Sequence, residues 1–202
     1  MVRGKQASQQ MREQSRAQIL QAARTLFAER GYFNCKVSDI AEKAGMSQGN
    51  VYWYFPSKED VLKAVLSDGF DRTEDLLKEA AQRPGDALAS LDYLLEQYFL
   101  YAQEQWEFHA VFLSLLGHGG VPFMHQLGFD TVEIGTRYHQ HLSALLGRAR
   151  AEGVIADLDP NILAMFYFSF FNGLLLTYRD EWTLVPAEQI RQAVLRLLGY
   201  QG

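Results

Sequence analysis

The residues of this chain best equipped for chemistry gather in Ser47-Gln-Gly-Asn-Val-Tyr-Trp-Tyr-Phe-Pro-Ser-Lys58. Gln48 and Asn50 carry amides that both donate and accept, a pairing that suits adenine edges in a DNA major groove. Gly49 between them lets a backbone approach its partner closely. The same stretch also spells a nucleophile: Gly45-Met-Ser47-Gln-Gly49 is a literal G-x-S-x-G, and His118-Gly-Gly120 imitates part of an oxyanion-hole loop. A nucleophile elbow follows a β-strand, because the strand-to-helix turn exposes the serine. Ser47 follows a helical pattern instead, and the histidine-glycine run comes after the serine rather than before it. A hydrolase is therefore disfavoured and no catalytic residue is expected. The five histidines suggest no metal site; His139 and His141, two apart, point in different directions on a helix. No cofactor is expected.

The elements that must position Gln48 and Asn50 are two short helices. Val37, Ile40, Ala41 and Ala44 recur at the spacing of one helical face, and Gly45 suits the left-handed residue that ends a helix. Ser47 is a good N-cap for a second helix over 48–54, which Pro56 cannot continue. Two short helices about a tight glycine turn predict a helix-turn-helix, whose second helix enters the major groove.

The stretch from Arg16 to about Leu62 resembles the N-terminal domain of the TetR family of bacterial transcriptional regulators. The likeness runs through Ile19-Leu20, Ala22-Ala23, Leu26-Phe27, Gly31-Tyr32, Asp39-Ile40-Ala41, Ala44-Gly45, Ser47-x-Gly49, Tyr52-x-Tyr54-Phe55 and Ser57-Lys58-Glu59. The resemblance implies that Tyr52 and Tyr54 bring hydroxyls to phosphates or bases and that Lys58 meets phosphate at the start of the fourth helix. Trp53 is divided between packing and sugar-phosphate contact; Val51 and Phe55 are expected in the core. Members usually carry Thr or Ser at the two positions before Val37; here stand Cys35 and Lys36. Neither is a preferred N-cap, so that helix must fray or be capped otherwise, and Lys36 would substitute a charged phosphate contact for a neutral one.

Charge is distributed to match. The net charge is −5, yet residues 1–62 hold nine Lys/Arg against six Asp/Glu, and residues 63–202 hold ten against eighteen. A basic head on an acidic body suits a protein that meets DNA at one end. Arg3, Lys5 and Arg12 belong to a polar arm that reaches phosphate or is a plain tail. One cysteine among 202 residues excludes an intrachain disulfide and fits a reducing compartment. With no long apolar run and a polar start, the expected location is the cytoplasm.

The fold expected is all-α, with about nine helices: a helix-turn-helix domain at 1–62 and a ligand-binding and dimerisation domain at 63–202. The periodicity predicts helices over about 11–30, 37–44, 48–54, from 58, 86–103, 105–116, to about 152, 160–178 and 186–199, with a loop at 117–122. Aromatic residues crowd the second domain, Tyr101 among them. Core packing accounts for most of them. By resemblance the domain holds a small inducer, and Tyr98, Trp106, His109, Phe112, Phe129, Phe166 and Phe170 are its candidate lining; Glu104 and Glu107 face a cation only if turned inward, and solvated surface is expected for both. A near-continuous apolar run from 166 to 176 needs a partner to cover it, a second subunit or, as the alternative, packing within one subunit. Phe171, Gly173, Leu174, Val194, Leu195 and Leu198 are the candidate dimer contacts. The reading is a homodimer on a palindromic operator, released by a small apolar or aromatic molecule. The alternative of another class is a DNA-binding protein that ignores ligands.

Overall fold

The computed structural model describes residues 2–104, 106–177 and 186–200, with side chains at 6–100, 106–174, 177 and 186–200. Among the described residues there are ten α-helices and no strand: α1 Val2–Arg30, α2 Val37–Lys43, α3 Gln48–Tyr54, α4 Lys58–Gln82, α5 Ala87–Glu104, α6 Trp106–His118, α7 Gly120–Gln126, α8 Thr131–Ala151, α9 Pro160–Thr177 and α10 Ala187–Leu197. The side chains of Arg3, Lys5, Tyr101 and Glu104 lie outside the described residues.

Two compact units emerge. The first is Met1–Gly69 with Glu107–Gly128; the second is Phe70–Trp106 with Phe129–Gly202. The division along the chain thus falls inside α4, between residues 69 and 70 rather than at 62, and α6 and α7 group with the helix-turn-helix. The expected polar arm is not separate, since helix α1 begins at Val2.

In the first unit, the inner stripe of α1 (Ile19, Ala22, Ala23, Leu26, Phe27) is buried with Ile40, Ala41, Val51, Leu62 and Leu66. Apolar faces at helical spacing hold these short helices in place, because helices of seven residues do not persist alone. Val51 and Phe55 are buried, as expected. Glu107 at the start of α6 is only 9% exposed and faces α1: Gln21 donates to it at 3.3 Å and the Arg24 guanidinium lies 3.4 Å away.

In the second unit, Leu77, Leu91, Leu94, Leu142, Leu145, Leu146, Leu163 and Tyr167 form one core with Val194, Leu195 and Leu198. Arg148 clamps the turn between α4 and α5, donating to the carbonyls of Ala81 at 2.8 Å and Gly85 at 3.4 Å and to Ser90 Oγ at 3.2 Å.

Helix breaks differ from the expected ones in one region. The glycine-rich run at 117–122 is helical on both sides of Gly119, and the real interruption comes at 127–130. Asp130 sets the new start, its carboxylate accepting from the N–H groups of Val132 and Glu133, both at 3.0 Å. A side-chain cap decides the boundary more firmly than nearby glycines do.

Candidate nucleic-acid interface

The helix-turn-helix is built by its caps. Gly45 takes φ +67°, and its N–H donates to Glu42 O at 3.0 Å while Met46 N–H donates to Ala41 O at 2.9 Å. These two bonds are the paired Schellman closure, which needs a residue with left-handed backbone at Gly45. Ser47 then opens α3, its hydroxyl accepting from Asn50 N–H at 3.2 Å. That role occupies Ser47 in a helix start with no strand before it, unlike the serine of a nucleophile elbow. His118 is likewise engaged, its Nδ1 donating to Ser114 O at 2.9 Å.

The start of α2 solves its missing cap from the other side. Lys36 offers no side-chain acceptor, but Asp39 reaches back and accepts from Lys36 N–H at 2.8 Å. Half of a capping box is thereby supplied by the third residue of the helix. The Lys36 side chain is left exposed.

Along α3, Gln48, Gly49 and Asn50 are exposed, as are Tyr52 at 46% and Trp53 at 62%. Tyr54 is half-buried and meets the Trp53 ring edge-on at 4.6 Å. The Arg12 guanidinium of α1 lies over the Trp53 ring at 5.2 Å, so Trp53 is both exposed and held in place.

Lys58 stands at the start of α4, as expected, and is engaged within the protein. Its ammonium donates to Tyr32 O at 3.0 Å and Cys35 O at 2.9 Å and sits 4.2 Å from the centre of the Tyr32 ring. Those carbonyls belong to the 3-10 turn Tyr32–Asn34 and its exit, so Lys58 ties the α1–α2 connection to the first residue of α4. The sequence shows a cation at a helix start but not the two carbonyls that fold over it. Cys35 is buried in the same connection, its thiol donating to Leu26 O at 3.4 Å. Burial, with Asp39 nearby, raises its pKa, away from a reactive thiolate.

The residues expected to line an inducer pocket divide between the units. His109 and Phe112 stand in the first, both beside Phe108. Burial pushes the His109 imidazole down to about 4. In the second, Tyr98 packs with Tyr167 and Phe171 at centroid distances of 6.0 and 4.6 Å, and Phe129 packs on Phe70 at 5.3 Å. Trp106 is half-buried in that unit. The Tyr167 hydroxyl, which the sequence does not single out, is buried and finds no hydrogen-bond partner among the described residues. Phe166 and Phe170 are 61% and 36% exposed, Phe170 meeting the Phe171 ring edge-on at 5.4 Å from the rim of this cluster.

The expected dimer contacts also sort themselves by burial. Phe171, Val194, Leu195 and Leu198 are inside the unit's own core, because α9 and α10 each turn one apolar stripe inward. Gly173 is exposed and Leu174 half-buried. The outward stripe is Ile162, Met165, Phe166 and Phe170 of α9, with Leu197 of α10 at 69% exposure. No group of His, Cys, Asp and Glu among the described residues could hold a metal ion, and no described helix is long and apolar enough to cross a membrane.

A capped seven-residue helix carrying outward amides and aromatics, set behind a glycine turn, defines a DNA-binding helix-turn-helix regulator rather than an enzyme. Comparison with known proteins supplies the family. Residues 19–65 match the model for bacterial regulatory proteins of the tetR family. The chain is 35% identical over 180 residues to the HTH-type transcriptional regulator TtgR of Pseudomonas putida, covering 86% of this chain and 82% of that protein. It shares its fold with the TetR family transcriptional regulator PfmR of Thermus thermophilus, at TM-score 0.75 and 24% identity over 89% of this chain and 96% of that one. FadR of Bacillus subtilis, solved in complex with stearoyl-CoA, gives TM-score 0.70 and 23% identity over 90% and 96%. The protein belongs to the TetR family of transcriptional regulators.

Proposed function

We propose that the protein is a homodimeric repressor that releases a palindromic operator when a small apolar or aromatic molecule enters its second unit. The observation that carries the DNA-reading part is the exposed face of α3. Gln48, Asn50, Tyr52 and Trp53 project together from a helix fixed at both ends. Gln48 and Asn50 read base edges, Tyr52 and Tyr54 bring hydroxyls to the backbone or bases, and Trp53 lies along the sugar-phosphate wall. Lys36 adds a phosphate contact; Lys58 positions the motif from behind.

The dimer is assigned to the outward apolar residues of α9, with Leu197 of α10, since large exposed apolar surface supports an interaction site. Phe166, Phe170, Gly173 and Leu197 are its assigned contacts. Two recognition helices must then sit about 34–36 Å apart to enter successive major grooves.

The ligand is assigned to the second unit, beside Tyr98 and Tyr167, with Trp106 and Phe129 kept as further candidate lining. The buried hydroxyl of Tyr167, unpaired among the described residues, supports a site whose occupant brings one polar group into an apolar lining. The complex of FadR with stearoyl-CoA is a precedent for a ligand on this fold. Such a molecule acts only by binding the released shape more tightly than the DNA-bound one.

The test is a mobility-shift titration with the DNA flanking the protein's own gene. Gln48→Ala and Tyr52→Ala should each weaken binding at least about tenfold while circular dichroism stays unchanged. Full affinity in both variants sinks the DNA face. Phe166→Asp should give monomer in light scattering, and a dimeric variant would place the interface elsewhere. A thermal-shift screen with apolar and aromatic compounds that finds no stabiliser favours the ligand-blind alternative.

A further inference from the structure

The first unit contains a cavity of about 350 Å³ that the DNA-binding role does not use. Arg30, Gly31, Tyr32, Phe33 and Asn34 line one side, and Ser114, Leu115 and His118 of α6 line the other. Its size lies within the range of small-molecule sites, and its lining is mixed: Tyr32, Phe33 and Leu115 offer apolar surface, while Arg30, Asn34, Ser114 and His118 offer polar groups.

The lining is specific about what it would accept. Arg30 is exposed, and among the described residues no hydrogen bond or ion pair engages its guanidinium. A planar guanidinium on a cavity wall selects a carboxylate, which it can hold through two parallel bonds. The His118 ring is oriented by its bond from Nδ1 to Ser114 O at 2.9 Å. A carbonyl can only accept, so Nδ1 carries the hydrogen and Nε2 of the neutral ring is an acceptor. That acceptor matches a hydroxyl, not a second carboxylate oxygen. Phe33 is 57% exposed and packs at 5.5 Å from Phe123 and 6.4 Å from His118, which gives a flat ring to stack on.

We propose that this cavity is a second small-molecule site that takes a hydroxylated aromatic carboxylate, the carboxylate on Arg30, the ring against Phe33 and the hydroxyl on His118 Nε2. One N–H of the Asn34 amide donates to Arg30 O at 2.8 Å and closes α1, and its second N–H can support the carboxylate beside Arg30. A ligand here bridges the end of α1 to the end of α6. The residues after Asn34 lead directly into α2 and α3, so the bridge restrains the segment that carries the recognition helix. The site is separate from the pocket assigned to the second unit, and its existence does not depend on that assignment.

Calorimetric titration of the full chain with 3- and 4-hydroxybenzoate tests it, with 4-hydroxybenzyl alcohol as the probe lacking the carboxylate. Saturable binding of at least one hydroxybenzoate, weakened about tenfold or more by Arg30→Gln and by Ser114→Phe, is the expected result. Arg30→Gln changes an exposed side chain and should fold normally; Ser114→Phe fills the cavity and checks the location independently. The benzyl alcohol should bind at least about tenfold more weakly than the hydroxybenzoates. Hydroxybenzoate binding that both variants leave unchanged would overturn the proposal by placing the probe elsewhere. Absence of saturable binding by either acid, or tighter binding of the alcohol, would overturn it as well.

Discussion

Replacing Gly69 by alanine sets two effects of opposite sign against each other. Gly69 lies inside α4, where alanine is the better helix former by about 1 kcal/mol. A methyl group there would stand closer than 3.0 Å to three atoms of the Phe108 ring from α6. Carbon atoms pack at about 3.5–4.0 Å, so the ring must withdraw. Phe108 is 2% exposed and lies between His109 and Phe112, with ring centroids at 5.1 and 6.2 Å, which leaves it little room. Overpacking of this kind costs about 3 kcal/mol at the upper end of its usual range. The net expectation is destabilisation by about 2 kcal/mol, and a melting temperature lower by roughly 4–8 °C if both units unfold together.

The measurement is a urea titration of wild type, Gly69→Ala, Phe108→Leu and the double variant, followed by circular dichroism. Phe108→Leu alone should cost about 1.5 kcal/mol in lost burial. In the double variant the smaller side chain frees the space beside position 69, so its cost should fall about 1–2 kcal/mol below the summed single costs. A stabilised Gly69→Ala variant would mean that helix propensity wins and that α6 does not sit on α4 at this point. Strict additivity would refute the same contact.

His109 gives a pH dependence. Its folded pKa of about 4 lies below the unfolded value of about 6.5, so the unfolded chain takes up the proton first. Its contribution is complete above about pH 6.5 and is lost as pH falls toward 4, at up to about 1.4 kcal/mol per unit; His109→Gln should flatten that limb in denaturation at stepped pH. Lys58→Met should cost about 1–2 kcal/mol, since it strips a charged donor from two carbonyls, and Lys58→Arg should restore part of it. If Lys58→Met leaves stability unchanged and only weakens DNA binding, the lysine reaches phosphate as the sequence alone suggests. Ser47→Ala should destabilise by about 1 kcal/mol through loss of the α3 cap, read from the same titrations. Cys35 should resist a thiol reagent under native conditions and react on unfolding; rapid native labelling would contradict its burial.

The recognition motif is legible in the sequence because local signals decide it. Gly45, Ser47 and Pro56 each act on neighbours within a few residues, so the turn, the start of α3 and its end follow from the chain itself. The same logic explains the mismatch at 117–130. Glycines permit a break without requiring one, and the Asp130 cap three residues before Glu133 carries the stronger signal.

What spacing does not reveal is the direction in which long-range pairs turn a side chain. Lys58 is 26 residues from Tyr32 and 23 from Cys35, and no spacing rule shows that two carbonyls lie within its reach. The α9 run has the same difficulty in another form. When nearly every residue of a helix is apolar, periodicity no longer separates the inner stripe from the outer one. In sequence, therefore, Phe166 and Phe170 look as suited to a pocket as Tyr98, and Phe171 as suited to an interface as Gly173. Only packing distinguishes them: Phe171 closes on Tyr98 and Tyr167 at 4.6 and 4.5 Å, and that contact turns Phe166 and Phe170 outward on the same helix. The outward pair is consequently where a charge should do most harm to association and least to the fold, while at Phe171 the order should reverse.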